Sequence, residues 1–167
     1  MSAPLEVWMR GPIEGIPALV QPAAHAVLQV QEELHDLLKD FSDNLLWEKP
    51  HGVASVGFHL QHLSGVLDRL QTYAEGNTLS SEQFDLLSLE KVAPQENQTV
   101  ATLLTRFDLQ VTKYLSYLKQ LSENDLLLPR GIGRKQIPTN VIGLIFHAAE
   151  HTTRHFGQLY VTAKQLL

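Results

Sequence analysis

The chain has 167 residues, 44% hydrophobic and 19% charged, with no cysteine and a formal net charge of −5. A chain of this length buries about two thirds of its unfolded surface without help from disulfides or a structural metal. The lack of cysteine excludes disulfides, zinc–thiolate sites, iron–sulfur clusters and cysteine nucleophiles, and the acidic balance argues against a nucleic-acid partner.

No basic run exceeds Arg134-Lys135. No apolar stretch reaches the ~18 residues that a membrane span requires. Met1–Glu14 lacks the basic start and apolar run of a signal peptide, and a cytoplasmic protein is the default expectation.

Residues 1–15 carry Pro4, Gly11, Pro12 and Gly15 and are expected to form an irregular arm. Residues 16–167 are expected to form one domain. From Pro17 to Phe41, apolar residues including Val20, Ala23, Val27, Val30, Leu34, Leu38 and Phe41 recur at threes and fours, predicting a helix. Pro22 falls in its first turn, where a missing N–H costs little. Residues 43–53 form a connection, and a second helix runs from Ser55 to Ala74, where Gly76-Asn77 stops it. Ser80 with Gln83 offers a capping pair for a short helix through Leu89. Pro94–Asn97 reads as a break.

A third long helix spans Thr99–Leu121, with Val100, Leu103, Leu104, Phe107, Val111, Leu115 and Leu118 as its buried stripe. Residues 122–138, with two prolines and two glycines, are expected to be a loop or a small hairpin. The loop is a candidate cover for the bundle mouth, with Arg130 and Arg134 as contacts for an acidic substrate. Thr139 or Asn140 caps the last helix, which runs to Gln165. Four long helical segments predict an all-α protein, a four-helix bundle with long crossover connections.

Eight histidines are the unusual feature of the composition. At about 100° per residue, Val141, Leu144, Ala148, Thr152, Leu159 and Leu166 share one arc of the last helix, and His155 lies within it. His151 lies about 40° away, and His147 a further 40° toward the polar face. His151 and His155 therefore point inward one turn apart, the spacing that lets two imidazoles reach one metal. Glu150 precedes His151 instead of lying between the pair, so the H-E-x-x-H protease motif is absent.

A third ligand must come from another helix, and the second helix offers His59 and His62. Periodicity places His59 nearer the centre of the apolar arc and His62 about 60° toward its edge, so the pattern alone does not choose His62. An isolated histidine on an apolar face is more often a structural residue than a ligand. His25, His35 and His51 receive that reading.

The stretch Ser55-Val56-Gly57-Phe58-His59-Leu60-Gln61-His62-Leu63-Ser64-Gly65 resembles the second-helix motif of the DinB/YfiT-like superfamily. Phe146 to Leu159, with His151, His155 and Gly157-Gln158 in order and spacing, resembles its last-helix motif. The resemblance covers most of the chain after residue 16. It implies a four-helix bundle, often a homodimer, with one divalent metal (Zn, Ni or Fe) on His62, His151 and His155, choosing His62 over His59. Arg154 departs from the pattern, since many relatives place a further histidine there. His59, His147 and Arg154 are the expected residues around the ligands.

Family members of known activity include thiol S-transferases and an isomerase that use low-molecular-weight thiols. The resemblance therefore implies a metal-dependent transferase or hydrolase with a small-molecule substrate, a low-molecular-weight thiol among the candidates. The alternative is a non-catalytic metal- or ligand-binding bundle of a stress response. No catalytic residue is assigned from the sequence.

Overall fold

The computed structural model describes residues 5–92 and 98–167, so the expected break at Pro94–Asn97 lies outside the described residues. Four long helices dominate: α1 (Gln21–Leu38), α2 (Val56–Ala74), α4 (Val100–Leu118) and α5 (Val141–Leu166). A short helix α3 (Ser81–Leu89) follows α2. Two strands, β1 (Pro129–Ile132) and β2 (Ile137–Asn140), precede α5. The fold is thus helical, but it is not a strict four-helix bundle, because the described residues form five α-helices and a hairpin. The hairpin is antiparallel, pairing Pro129 with Asn140 and Ile132 with Ile137.

The caps follow the residues that favour them. Pro22 lies in the first turn of α1, Ser55 accepts from the Phe58 N–H at the start of α2, and Ser80 and Gln83 form a reciprocal capping box on α3. Asn140, not Thr139, caps α5 by accepting from the Gly143 N–H at 2.8 Å. The long helices are one to three residues shorter at most ends than their periodicity suggested, and the first helix begins four residues late because Ala18–Val20 forms a 3-10 turn. The N-terminal arm is docked on α1: Val7–Arg10 makes a 3-10 turn, Val7 N–H donates to Gln29 at 2.8 Å, and Arg10 pairs with Glu32 at 2.6 Å.

Helices α1 and α2 each pack against both α4 and α5, which puts α1 diagonal to α2. Residues 39–55 connect the two, the long connection that the sequence suggested. Fully buried Leu34, Leu38, Leu60, Leu63, Leu67, Phe107, Tyr114, Leu118 and Leu144 fill the centre. Burying each side chain of this size contributes about 1.5–3 kcal/mol. Two contacts fix the α2–α5 pair as antiparallel. Thr162 near the end of α5 reaches the Ala54 carbonyl before α2, while Ala74 at the end of α2 meets Arg130 just before α5. Residues 59–62 of α2 consequently face residues 151–155 of α5.

The hairpin does not cover this histidine region. Arg130 Nε donates to the Ala74 carbonyl at 2.7 Å, about three turns (~18 Å) along α2 from His62. Arg130 ties the hairpin to a helix end instead of meeting a substrate at the histidines. No described helix is long and apolar enough to cross a membrane.

One core residue breaks the packing rule. Thr152 is fully buried on α5, and its hydroxyl has no hydrogen-bond partner. A buried hydroxyl without a partner costs about 1–3 kcal/mol. Thr152→Val keeps the shape and removes that cost, so it is expected to raise Tm by a few degrees in a calorimetric scan. A fall in Tm would show that the hydroxyl is satisfied.

Candidate metal centre

His62, His151 and His155 converge from the two antiparallel helices, with one ligand atom from each within 4.8 Å of the others. His62 Nε2 lies 2.9 Å from His151 Nε2. The rings of His62 and His155 are 4.3 Å apart between centroids, and those of His151 and His155 4.6 Å. All three side chains are partly exposed, so the cluster is open on one side. Such a group is capable of coordinating a divalent metal. Its donors are all nitrogen, a set that suits Zn, Ni or Fe.

The ring around the cluster is built by residues of α2 and the end of α3. Glu90, just beyond α3, is only 5% exposed and holds His62 Nδ1 at 2.7 Å from its Oε2. Its other oxygen accepts from Arg69 NH1 at 2.5 Å. Burial opposes ionisation of this carboxyl, but the hydrogen bonds from His62 and Arg69 outweigh it and hold Glu90 below its ordinary pKa. The Glu90 carboxylate and the Arg69 guanidinium lie directly over Gly65, where an added Cβ would collide with both. Gly65 is thus the clearance through which a carboxylate from α3 reaches a histidine on α2.

These contacts fix where protons sit. With its Nδ1–H donated to Glu90, a neutral His62 turns an unprotonated Nε2 toward His151. Arg154 donates to His151 Nδ1 at 2.8 Å and to Glu150 at 3.0 Å. That leaves the His151 proton on Nε2, directed at His62. His59 is buried at 2% exposure, with its Nδ1 3.2 Å from His155 Nδ1. Phe58 stacks on the His62 ring at 5.3 Å and 16°.

Every residue that the sequence singled out around the cluster lies near it. His59 contacts His155, and Arg154 contacts His151. His147 is more peripheral: its ring is 5.2 Å from that of His151, and its Nδ1 is 3.4 Å from the exposed Glu150. The residues set aside lie elsewhere. His35 pairs with Asp108 at 3.0 Å, His25 approaches the Gly11 carbonyl at 3.2 Å, and His51 takes a positive φ in a turn. Sequence reasoning missed Glu90 and Arg69. The available signal was Gly65, a helix-interior glycine four residues before a charged residue on a largely apolar helix.

Burial first, then repulsion between neighbouring imidazoles, lowers His59 and His151 from 6.5 to about 4; His155 is lowered to about 4 by burial and its neighbours His62 and Arg154. All three are neutral at pH 7 and present lone pairs. A histidine whose folded pKa is depressed contributes full stability above its unfolded value of about 6.5 and loses it as pH falls toward 4. The metal-free protein is expected to lose Tm progressively from pH 7 to pH 4, and His155→Phe to flatten that slope. A Tm independent of pH over this window would show that these histidines are not held neutral by the fold.

Comparison with known proteins places the site in context. Residues 26–159 match the model of the DinB superfamily, a span that includes α2, Glu90 and both α5 histidines. No curated protein matches the chain. The crystal structure of a DinB-like protein from Bacillus cereus ATCC 10987 superposes with a TM-score of 0.63 at 16% identity, over 84% of this chain and 90% of that one. At that identity the likeness speaks for the fold alone, and the family match covers most of the chain. The chain belongs to the DinB superfamily.

Proposed function

We propose that His62, His151 and His155 hold one divalent metal and that the protein is a cytoplasmic metal-dependent enzyme, a thiol S-transferase or a hydrolase. The observation that carries the reading is the Glu90–His62 contact. A buried carboxylate that takes the far nitrogen of an imidazole orients it and raises its basicity toward a metal, the arrangement found behind ligating histidines. Structural histidines need no such buried ion pair behind them.

His62, His151 and His155 would hold the metal, which would supply Lewis acidity there and lower the pKa of a bound thiol or water. The chain's own residues supply the rest. Glu90 and Arg69 fix His62, His59 fixes His155, and Arg154 brings a cation to the edge of the cluster. His151 could offer Nε2 to a metal only as the Nδ1–H tautomer, so its proton would have to leave the nitrogen that faces His62 and the Arg154 contact at Nδ1 would have to break.

One observation favours the alternative of a metal-binding bundle without turnover. Both carboxylates described beside the cluster are engaged: Glu90 is committed to His62 and Arg69, and Glu150 to Arg154. A thiol transferase needs no free general base once the metal has activated the thiol, which is why the transferase reading leads. The family resemblance adds a homodimer, which light scattering on the purified protein checks.

Elemental analysis of the purified protein is expected to find about one divalent ion per chain, lost in His151→Ala with helicity retained. Glu90→Gln is expected to weaken metal affinity about 10–100-fold, measured by chelator competition. Turnover of a low-molecular-weight thiol with an electrophilic acceptor, dependent on the bound metal, separates enzyme from binding bundle. Absence of metal in the wild type after incubation with Zn and Ni salts would sink the site itself.

A further inference from the structure

Four glycines lie inside the helices among the described residues, and three have a neighbour that demands them. A Cβ on Gly57 would come 2.9 Å from the Trp47 ring, one on Gly143 would come 2.9 Å from Thr139 and Asn140 side-chain oxygens, and one on Gly65 would collide with Glu90 and Arg69. Gly157 differs. It lies in the interior of α5 with no positive φ, and a Cβ there would meet nothing within 4 Å. Glycine weakens an exposed helix interior relative to alanine, and nothing among the described residues requires it at residue 157.

The space beside Gly157 is a cleft of about 560 Å³ that begins at His59 and runs along α5. Arg154, Gly157, Gln158, Val161 and Gln165 form one wall at helical spacing, and Val53 stands on the other. The polar groups are donors or amides. Arg154 Nε and NH1 have no partner among the described residues, while its NH2 serves Glu150 and His151. A smaller hollow shares Val53 and Ala54 and adds Lys49 and Lys91, so cations flank this entrance on a chain of net charge −5. The cleft therefore pairs an apolar strip (Val53, Gly157 and Val161) with a cationic end next to the histidines.

We infer that this cleft is the substrate subsite of the histidine centre and that it takes a small amphiphilic carboxylate. The carboxylate pairs with Arg154, and the apolar part lies across Gly157 and Val161. The inference rests on the proposed metal centre for its meaning as a substrate site, but the cleft and its lining stand without the metal. The Arg154 guanidinium attracts a carboxylate through charge as well as through a donated hydrogen bond, which an alcohol cannot match. Gly157 leaves the floor low enough for the chain of the ligand to lie against the helix backbone.

The test titrates ¹⁵N-labelled protein, as purified and after chelation, with hexanoate and separately with 1-hexanol. Hexanoate is expected to shift the Gly157 amide and the Gln158 and Gln165 side-chain amides saturably in both preparations, with hexanol about ten-fold weaker. Arg154→Gln is expected to bring hexanoate down to the hexanol level, and Gly157→Leu to abolish binding of both. Gly157→Ala is expected to raise Tm by about 2–4 °C, because the fold itself has no use for the glycine. Equal binding of the two probes, hexanoate binding unchanged in Gly157→Leu, or a loss of stability in Gly157→Ala would each overturn the subsite. So would a change of oligomeric mass in Gly157→Leu, which would assign the face to a second copy of the chain. Hexanoate shifts that persist in protein unable to bind metal would leave the subsite standing while removing the metal centre, so the two failures are distinguishable.

Discussion

Glu90 is almost fully buried in a helical protein, and a carboxylate so placed stays ionised only if donors replace the water it has lost. It has two, the Arg69 guanidinium and the His62 imidazole. Much of the site depends on this three-way contact. It requires glycine at residue 65, it places the end of α3 against α2, and it turns His62 so that Nε2 faces α5. Breaking either partner would strand a charge in the interior, which costs far more than an exposed ion pair of the same length contributes.

Around that contact the histidines form a graded set. His62 has a carboxylate behind it, His151 a guanidinium and His155 another histidine. The three imidazoles are therefore chemically unequal although they meet at one point. Arg154 favours the His151 proton on Nε2, the nitrogen facing His62, so a metal there would compete with the hydrogen bond between the two histidines. A relative with histidine in place of Arg154 would lack that donor. The unusual cation thus bears both on the ligand set and on the cleft beside it.

The helices were largely legible in the sequence because their signals are local. The 3.6-residue period of Val27, Val30, Leu34 and Leu38, the Ser80–Gln83 capping pair and the Asn140 cap each act within a few residues. What stayed open is of another kind. The sequence left residues 122–138 as a loop or a small hairpin, because the stretch carries no alternating apolar run: Arg130, Gly131, Pro138 and Thr139 occupy the middle of the hairpin. It holds by backbone pairing and by Arg130 on the Ala74 carbonyl. Where residues 122–138 lie relative to the histidines was hidden for a related reason: only the antiparallel packing of α2 on α5 shows that the hairpin sits at the far end of α2.

The sequence by itself determined the helical class, the inward i, i+4 pair His151 and His155, and the absence of any thiolate ligand. Each follows from residue type and from spacing along one helix. Periodicity could not decide between His59 and His62. Both face inward, and what separates them is their partners: His59 Nδ1 is turned to His155, and His62 is turned by Glu90 so that its free nitrogen meets His151. Glu90 and Arg69, marked in the sequence only indirectly by Gly65, were missed for a related reason. They lie 28 and 21 residues from their partners along the chain, and no local pattern marks a charge whose compensation comes from another helix. Tertiary packing alone brings those groups within hydrogen-bonding distance, and burial alone makes the contact compulsory.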